Sequence, residues 1–127
     1  METIAKLKAW QEIKMIETDP TGRSQHETGA KLDADKPRAG LVIGDFARAL
    51  KAVIDVGTYG ADKYSDSGWL EVPNGIDRYT DAMYRHLLSE ASGKMYDSES
   101  MHIHAALAAW NALARLELIL RDLGDDI

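Results

Sequence analysis

The sequence predicts an all-α protein, a helical bundle preceded by an extended arm. Three observations lead there. Apolar residues recur at helical spacing over three long stretches, about 44–64, 76–92 and 99–123. No stretch alternates apolar and polar residues as a half-buried strand does. The connections between the helical stretches are short to medium, as in a bundle. The chain has 127 residues, which suits a single domain over 1–127. Its expected parts are an N-terminal helix (3–16), a linker and charged arm (18–43) and a helical core (44–123).

The N-terminal helix rests on Ile4, Leu7, Ala9, Trp10, Ile13 and Met15–Ile16. "TDPTGRSQHETG" follows, polar and broken by Pro and Gly, and reads as a linker. "TGAKLDADKPRAGL" (28–41) is the arm. Pro37 fixes its own φ and pushes Lys36 towards an extended shape. The first core helix places Phe46, Leu50, Val53, Ile54, Gly57, Ala61 and Tyr64 on one stripe, opposite Arg48, Lys51, Asp55 and Asp62. Gly57 and Gly60 mark a kink or a close approach. "SDSGWLEVPNG" is a loop. The second core helix spans 76–92, and "SGKMYDSES" connects it to the third. Asp97 or Ser98 is the expected N-cap of that third helix, and Gly124 its stop. The third helix is apolar nearly all round. Ala105, Ala106, Ala109, Leu113, Leu116 and Leu120 line one face, extended by Leu107, Trp110 and Ala114. One small bundle cannot cover so much apolar surface, so a homodimer or higher homo-oligomer is expected.

Composition narrows the function. Hydrophobic residues make up 45%, and the formal net charge is −6. An acidic chain does not suit a grip on duplex nucleic acid, although a local cation cluster can still hold a small polyanion. There is no cysteine, hence no disulfide and no thiolate metal site. No apolar run suits a signal peptide or a membrane span. A cytoplasmic protein without membrane contact is expected.

The candidate chemistry lies on the last two helices. At about 100° per residue, Tyr79, Met83, His86 and Glu90 share a narrow sector, and His86 and Glu90 meet at i, i+4. A carboxylate on a core-facing stripe needs a partner or a metal. On the third helix Asp97, His104, Asn111 and Arg115 form a polar file, with Ser100 nearby. Antiparallel packing would bring His86, Glu90, Asp97 and His104 together as a site for Mg²⁺, Mn²⁺ or Co²⁺. Each residue also has a structural reading: a core histidine with one partner, or an asparagine satisfying a backbone group. His102 and His26 fall outside the sector and read as surface or packing residues.

The arm has two readings. Lys31, Lys36 and Arg38 fit a phosphate clamp, with Asp33 orienting them or touching a metal. They fit a solvated loop as well. In "YGADKYSDSGW", Lys63 suits phosphate, and Tyr64 and Trp69 offer flat surfaces for a base. Tyr64, on the apolar stripe, suits the core better. Trp69, in a polar loop, is the better base candidate.

The order of "GAKLDADKPRAGL", "YGADKYSDSGW", "RYTDAMYRHLLSEASGKMYD" and "HIHAALAAWNALARLEL" resembles the phage and prophage dATP/dGTP diphosphohydrolase family, over about 28–120. The motifs are a G-x-K-x-D-x-x-K-P-R arm, a GA-x-KY…W segment, an RH-x-x-x-E helix followed by G-x-x-x-D, and a His-bearing helix ending in a W-N-A-L-like run. The resemblance implies a fold similar to the all-α MazG-type pyrophosphohydrolases. It also implies metal-dependent cleavage of a deoxypurine triphosphate to monophosphate and pyrophosphate. Carried over, Lys31, Asp33, Lys36 and Arg38 fall on the arm motif, and Lys63, Tyr64 and Trp69 on the second. Arg85, His86, Glu90 and Asp97 fall on the third motif, His104 and Asn111 on the fourth. The expected catalytic set is Glu90, Asp97, His86 and Asn111. Arg85 and Lys63 join the arm in binding phosphate. The sequence departs from the pattern twice: Leu107 stands where a second histidine is common, and Met101 where a glycine is. Two other functions fit the residues: a non-catalytic nucleotide- or protein-binding helical module, and a His/Asp-type phosphohydrolase with a different leaving group.

Overall fold

A computed structural model describes residues 16–124, so the expected N-terminal helix lies almost wholly outside the described residues. Four α-helices follow: α1 (Ala39–Asp45), α2 (Ala47–Lys63), α3 (Gly75–Ala91) and α4 (His104–Leu123), with a short 3-10 helix at Gly68–Glu71. Among the described residues there is no strand, only an isolated bridge between Tyr96 and Ile103. The protein is all-α.

α4 is the central element. α3 packs along it most extensively and α2 packs on it too. The pairings His86/His104 and Thr80/Arg115 run in opposite directions along the two helices, so α3 and α4 are antiparallel. Close approach depends on two glycines. A Cβ on Gly57 would stand 3.1 Å from Trp110 Nε1, and one on Gly75 would stand 2.9 Å from Leu118 Cδ1. A side chain there would make Trp110 or the end of Leu118 give way.

Two boundaries differ from the sequence reading. Residues 39–43, expected as arm, and 44–45, expected to open the first core helix, form α1, and the chain turns at Phe46 before α2 begins. Gly40 and Gly44 weaken helical propensity there and hide the helix from a periodicity search. The third core helix starts at His104 rather than Glu99. Asp97 does cap a turn, since its Oδ2 accepts from Ser100 N at 2.9 Å. The turn lasts over residues 98–100 only, because Met101 takes a left-handed φ of 62° and Ile103 is extended.

The buried side of α4 also differs. His104, Ala106, Leu107, Ala108, Asn111 and Ala114 are buried. Ala105, Ala109, Leu113, Leu116 and Leu120, on the face expected to exceed what one small bundle can cover, are exposed. Small residues let α2 and α3 approach α4, so the face carrying the polar file turns inward and the large leucines turn out. On α2, Val56 is buried with Leu107 and Ala106, while Ile54, and Phe46 just before the helix, both of the predicted stripe, are exposed. No helix among the described residues is long and apolar enough to cross a membrane.

Candidate metal centre and cleft

His86 on α3 and His104, the first residue of α4, face each other with Nδ1···Nδ1 at 2.9 Å. Asp97 joins them from the connecting loop. One ligand atom of each residue lies within 4.8 Å of the others. The loop is held in shape by its backbone: Asp97 N donates to His102 O, Met101 N to Asp97 O and His104 N to Met95 O, each at 2.8 Å. Ser100 gives Asp97 Oδ2 both its N–H and its hydroxyl, at 2.9 and 2.8 Å. Oδ1 accepts nothing among the described residues.

Electrostatics prepare this group for a cation. The Ser100 N–H holds the Asp97 carboxyl below its usual range, helped by the Ser100 hydroxyl and the two imidazoles. Burial pushes the His86 pKa down, and the neighbouring His104 pushes it the same way. A neutral imidazole keeps a lone pair for metal. Two ring nitrogens at hydrogen-bond distance either share a proton or both turn lone pairs to a cation. Two imidazoles and one carboxylate fit a first-row transition ion better than Mg²⁺, which favours oxygen.

Glu90, expected in this group, is exposed and outside it. The reason is the late start of α4. Its first residue already stands opposite His86, so no helix faces α3 at the level of Glu90.

A cleft of about 1140 Å³ opens beside this centre, between α2 and α3 over the N-terminal half of α4. Lys63, Tyr64, Trp69, Arg85, His86, Asp97 and Asn111 line it, so seven expected site residues meet there. Lys63 is ion-paired with Glu99, and that hydrogen bond, then its contact with Tyr64, raises its pKa. Tyr64 is not a core residue: it is 78% exposed, with Lys63 Nζ 5.2 Å from its ring centre. Asn111 Nδ2 donates to Leu107 O at 2.8 Å, the backbone role weighed for it, while its side chain still borders the cleft.

Sequence reasoning missed the aromatic end of the cleft. Trp69, Tyr79 and Trp110 meet edge to face, with ring centres 5.6–6.1 Å apart. Tyr79 Oη donates to Trp69 O at 2.7 Å and fixes the 3-10 helix on α3. Their spacing of 69, 79 and 110 carries no local signal, because the cluster is made by α3 and α4 coming together.

The arm stands elsewhere. Lys31, Asp33, Lys36 and Arg38 do not line the cleft. Among the described residues, the arm's hydrogen bonds close within the segment itself. Asp19 is its fastening point, and no sequence signal singled it out. Asp19 Oδ1 accepts from Thr21 N and Oγ1 at 2.6 and 2.5 Å, and Oδ2 accepts from Lys31 N at 2.8 Å. These bonds, the Thr21 hydroxyl first, lower its pKa to about 2. Lys36 Nζ pairs with Glu17 at 3.2 Å.

The family model described as dATP/dGTP diphosphohydrolase, N-terminal, matches residues 26–126. No curated protein and no solved structure matches the chain.

Proposed function

The chain belongs to the dATP/dGTP diphosphohydrolase family, and on that premise we propose that it cleaves a deoxypurine triphosphate, dATP or dGTP, to the monophosphate and pyrophosphate. The observation that carries this reading is the His86–Asp97–His104 group at the wall of a cleft large enough for a nucleotide. His86, Asp97 and His104 would hold a divalent ion, Mn²⁺ or Co²⁺ in preference to Mg²⁺. Such an ion supplies charge to offset the phosphates and lowers the pKa of nearby water.

The chain's own residues do the rest. Trp69, backed by Tyr79 and Trp110, offers the base an aromatic surface, and Tyr64 a second one at the open rim. Lys63 and Arg85 face the phosphates, Lys63 by exchanging its Glu99 partner for phosphate oxygen. Asn111 orients the substrate from the floor. Glu90, one turn beyond His86, would take the proton of the attacking water through solvent. The water oxygen bonds to the α-phosphorus, the bond from that phosphorus to the bridging oxygen breaks, and pyrophosphate carries away the electron pair. Lys31, Lys36 and Arg38, with Asp33 orienting them, form a clamp that meets the departing charge. The active form is a homo-oligomer in the cytoplasm.

A second reading has one observation in its favour. A donor set of two histidines and one aspartate also suits a His/Asp-type phosphohydrolase releasing tripolyphosphate or orthophosphate. Product identity separates the two. The test is incubation with all eight common NTPs and dNTPs and Mg²⁺, Mn²⁺ or Co²⁺, with products separated by chromatography. Monophosphate and pyrophosphate from a deoxypurine substrate, lost in EDTA, is the expected result. Full activity in excess EDTA, or binding without turnover in any metal, overturns it.

A further inference from the structure

Among the described residues, exposed apolar surface gathers in two places. One is α1, whose Leu41, Val42 and Ile43, with Phe46 after it, are all at least half exposed. The other is a groove of about 380 Å³ between α2 and α4, lined by Val53, Ile54, Leu113, Leu116 and Leu120. Among the described residues α1 has no apolar cover and the groove no occupant; the two are complementary, and one chain carries both.

We propose that two copies dock by seating α1 of each in the α2–α4 groove of the other, and that this delivers each arm to the partner's cleft. The second step rests on reading that cleft as the triphosphate site. Geometry connects the two steps. Trp69, Trp110, Ile54 and Gly57 border both groove and cleft, so a helix in the groove lies one aromatic wall from the substrate. Arg38 is the N-cap residue of α1 and Lys36 precedes it by two. α1 is only about 10 Å long, so these cations cannot be far from whatever α1 touches. Charge agrees. The cleft carries Asp66, Asp81, Asp97 and Glu99 against Lys63, Arg78 and Arg85, and Lys63 is already paired. The cleft lacks positive charge for a triphosphate, and the arm holds that charge away from its own cleft. The exchange is symmetric, as a two-fold dimer requires.

The decisive experiment mixes two impaired chains. Arg38→Ala keeps a sound cleft, and Asp97→Asn keeps a sound arm. Random pairing of equal amounts should restore about a quarter of wild-type activity, since half the dimers are mixed and each has one complete site. Light scattering gives a readout independent of catalysis. Val42→Asp and Leu116→Lys each change a side chain outside the core, and each should yield a monomer of unchanged helicity. The absence of native cysteine allows a third check: Val42→Cys and Leu116→Cys chains, mixed and oxidised, should cross-link to each other. A monomeric wild type at micromolar concentration overturns the proposal. So does mixing that yields only the sum of the parts, since the arm then serves its own cleft. So does a dimer that survives Val42→Asp and is lost on deleting residues 1–15, because that segment is then the occupant. A dimer that behaves as expected in scattering and cross-linking but hydrolyses nothing overturns the function and leaves the docking intact.

Discussion

The arm and the candidate metal centre are each organised around one aspartate, and the two aspartates are used differently. Asp19 commits both oxygens to its own loop, Oδ1 to Thr21 and Oδ2 to Lys31 N. Asp97 commits only Oδ2, to Ser100, keeps Oδ1 uncommitted among the described residues, and sits beside two imidazoles. The first is a fastener with nothing left for chemistry. The second builds its loop with one oxygen and offers the other. An aspartate in a polar loop is therefore no guide to function until the partners of each oxygen are known.

The sharpest way to break this contrast is to neutralise each carboxylate without changing its shape. Asp97→Asn keeps an oxygen for Ser100 and removes the charge from the centre. Losing a partner of a metal ligand typically costs 10–100-fold, so losing a ligand should lower kcat/KM by more than about 100-fold. Circular dichroism should show unchanged helicity, and Mn²⁺ affinity by calorimetry should fall in parallel. If Asp97→Asn binds Mn²⁺ and turns over like wild type, Asp97 is a second Asp19.

Asp19→Asn should act more mildly. Its amide N–H₂ would face Lys31 N–H, donor against donor, and the arm would loosen. Loss of a preordered loop should cost about tenfold in kcat/KM, equally for dATP and dGTP, because phosphate carries no base information. The melting temperature of the helical body should stay the same, since the arm makes no hydrogen bond to it among the described residues. Acid tests the same point in the wild type. The Asp19 pKa is lowered from 3.8 to about 2, so its fastening is fully present above pH 3.8 and lost as pH falls through 2. The Lys31 amide shift in NMR should titrate near 2. A midpoint near 3.8 would show that the fastening does not form in solution.

Much of the fold was legible because it rests on local periodicity. α3 was placed within a residue at each end, and Gly124 ends α4 as its position suggested. The rest depends on what packs against what. Periodicity finds the large apolar residues of α4, but closeness of packing favours the face with Ala106, Ala108 and Ala114, and that choice sends Leu113, Leu116 and Leu120 outward. The site shows the same limit. His86, Asp97 and His104 could be grouped from helical phase and a short connection. Glu90 could not be separated from them, because its exposure follows from where α4 begins. That start follows in turn from Met101, whose backbone conformation no side-chain pattern reveals.

Met101 supplies the smallest test. Both regions contain a residue at φ 62°: Asp35 in the arm and Met101 in the loop of Asp97. Aspartate tolerates the left-handed region because its short polar side chain can bond locally, whereas methionine pays the Cβ–carbonyl clash, about 1–2 kcal/mol. Met101 is exposed and offers little packing in return. Met101→Gly removes the clash, and the gain is partly cancelled by the greater freedom of glycine in the unfolded chain, roughly 0.5–1 kcal/mol. The net stabilisation should be about 0.5–1 kcal/mol, a rise of roughly 2–5 °C in melting temperature for a chain of this size. Asp35→Gly should gain less than half as much. Met101→Val should destabilise, since a β-branched residue fits that region worst. Activity at low temperature should be unchanged in Met101→Gly, because Asp97 is still held by its bonds to Ser100 and His102. Stabilisation accompanied by a loss of turnover would show that the strain at Met101 itself presses Asp97 towards the histidines, and the loop would then be a loaded part of the site rather than its frame.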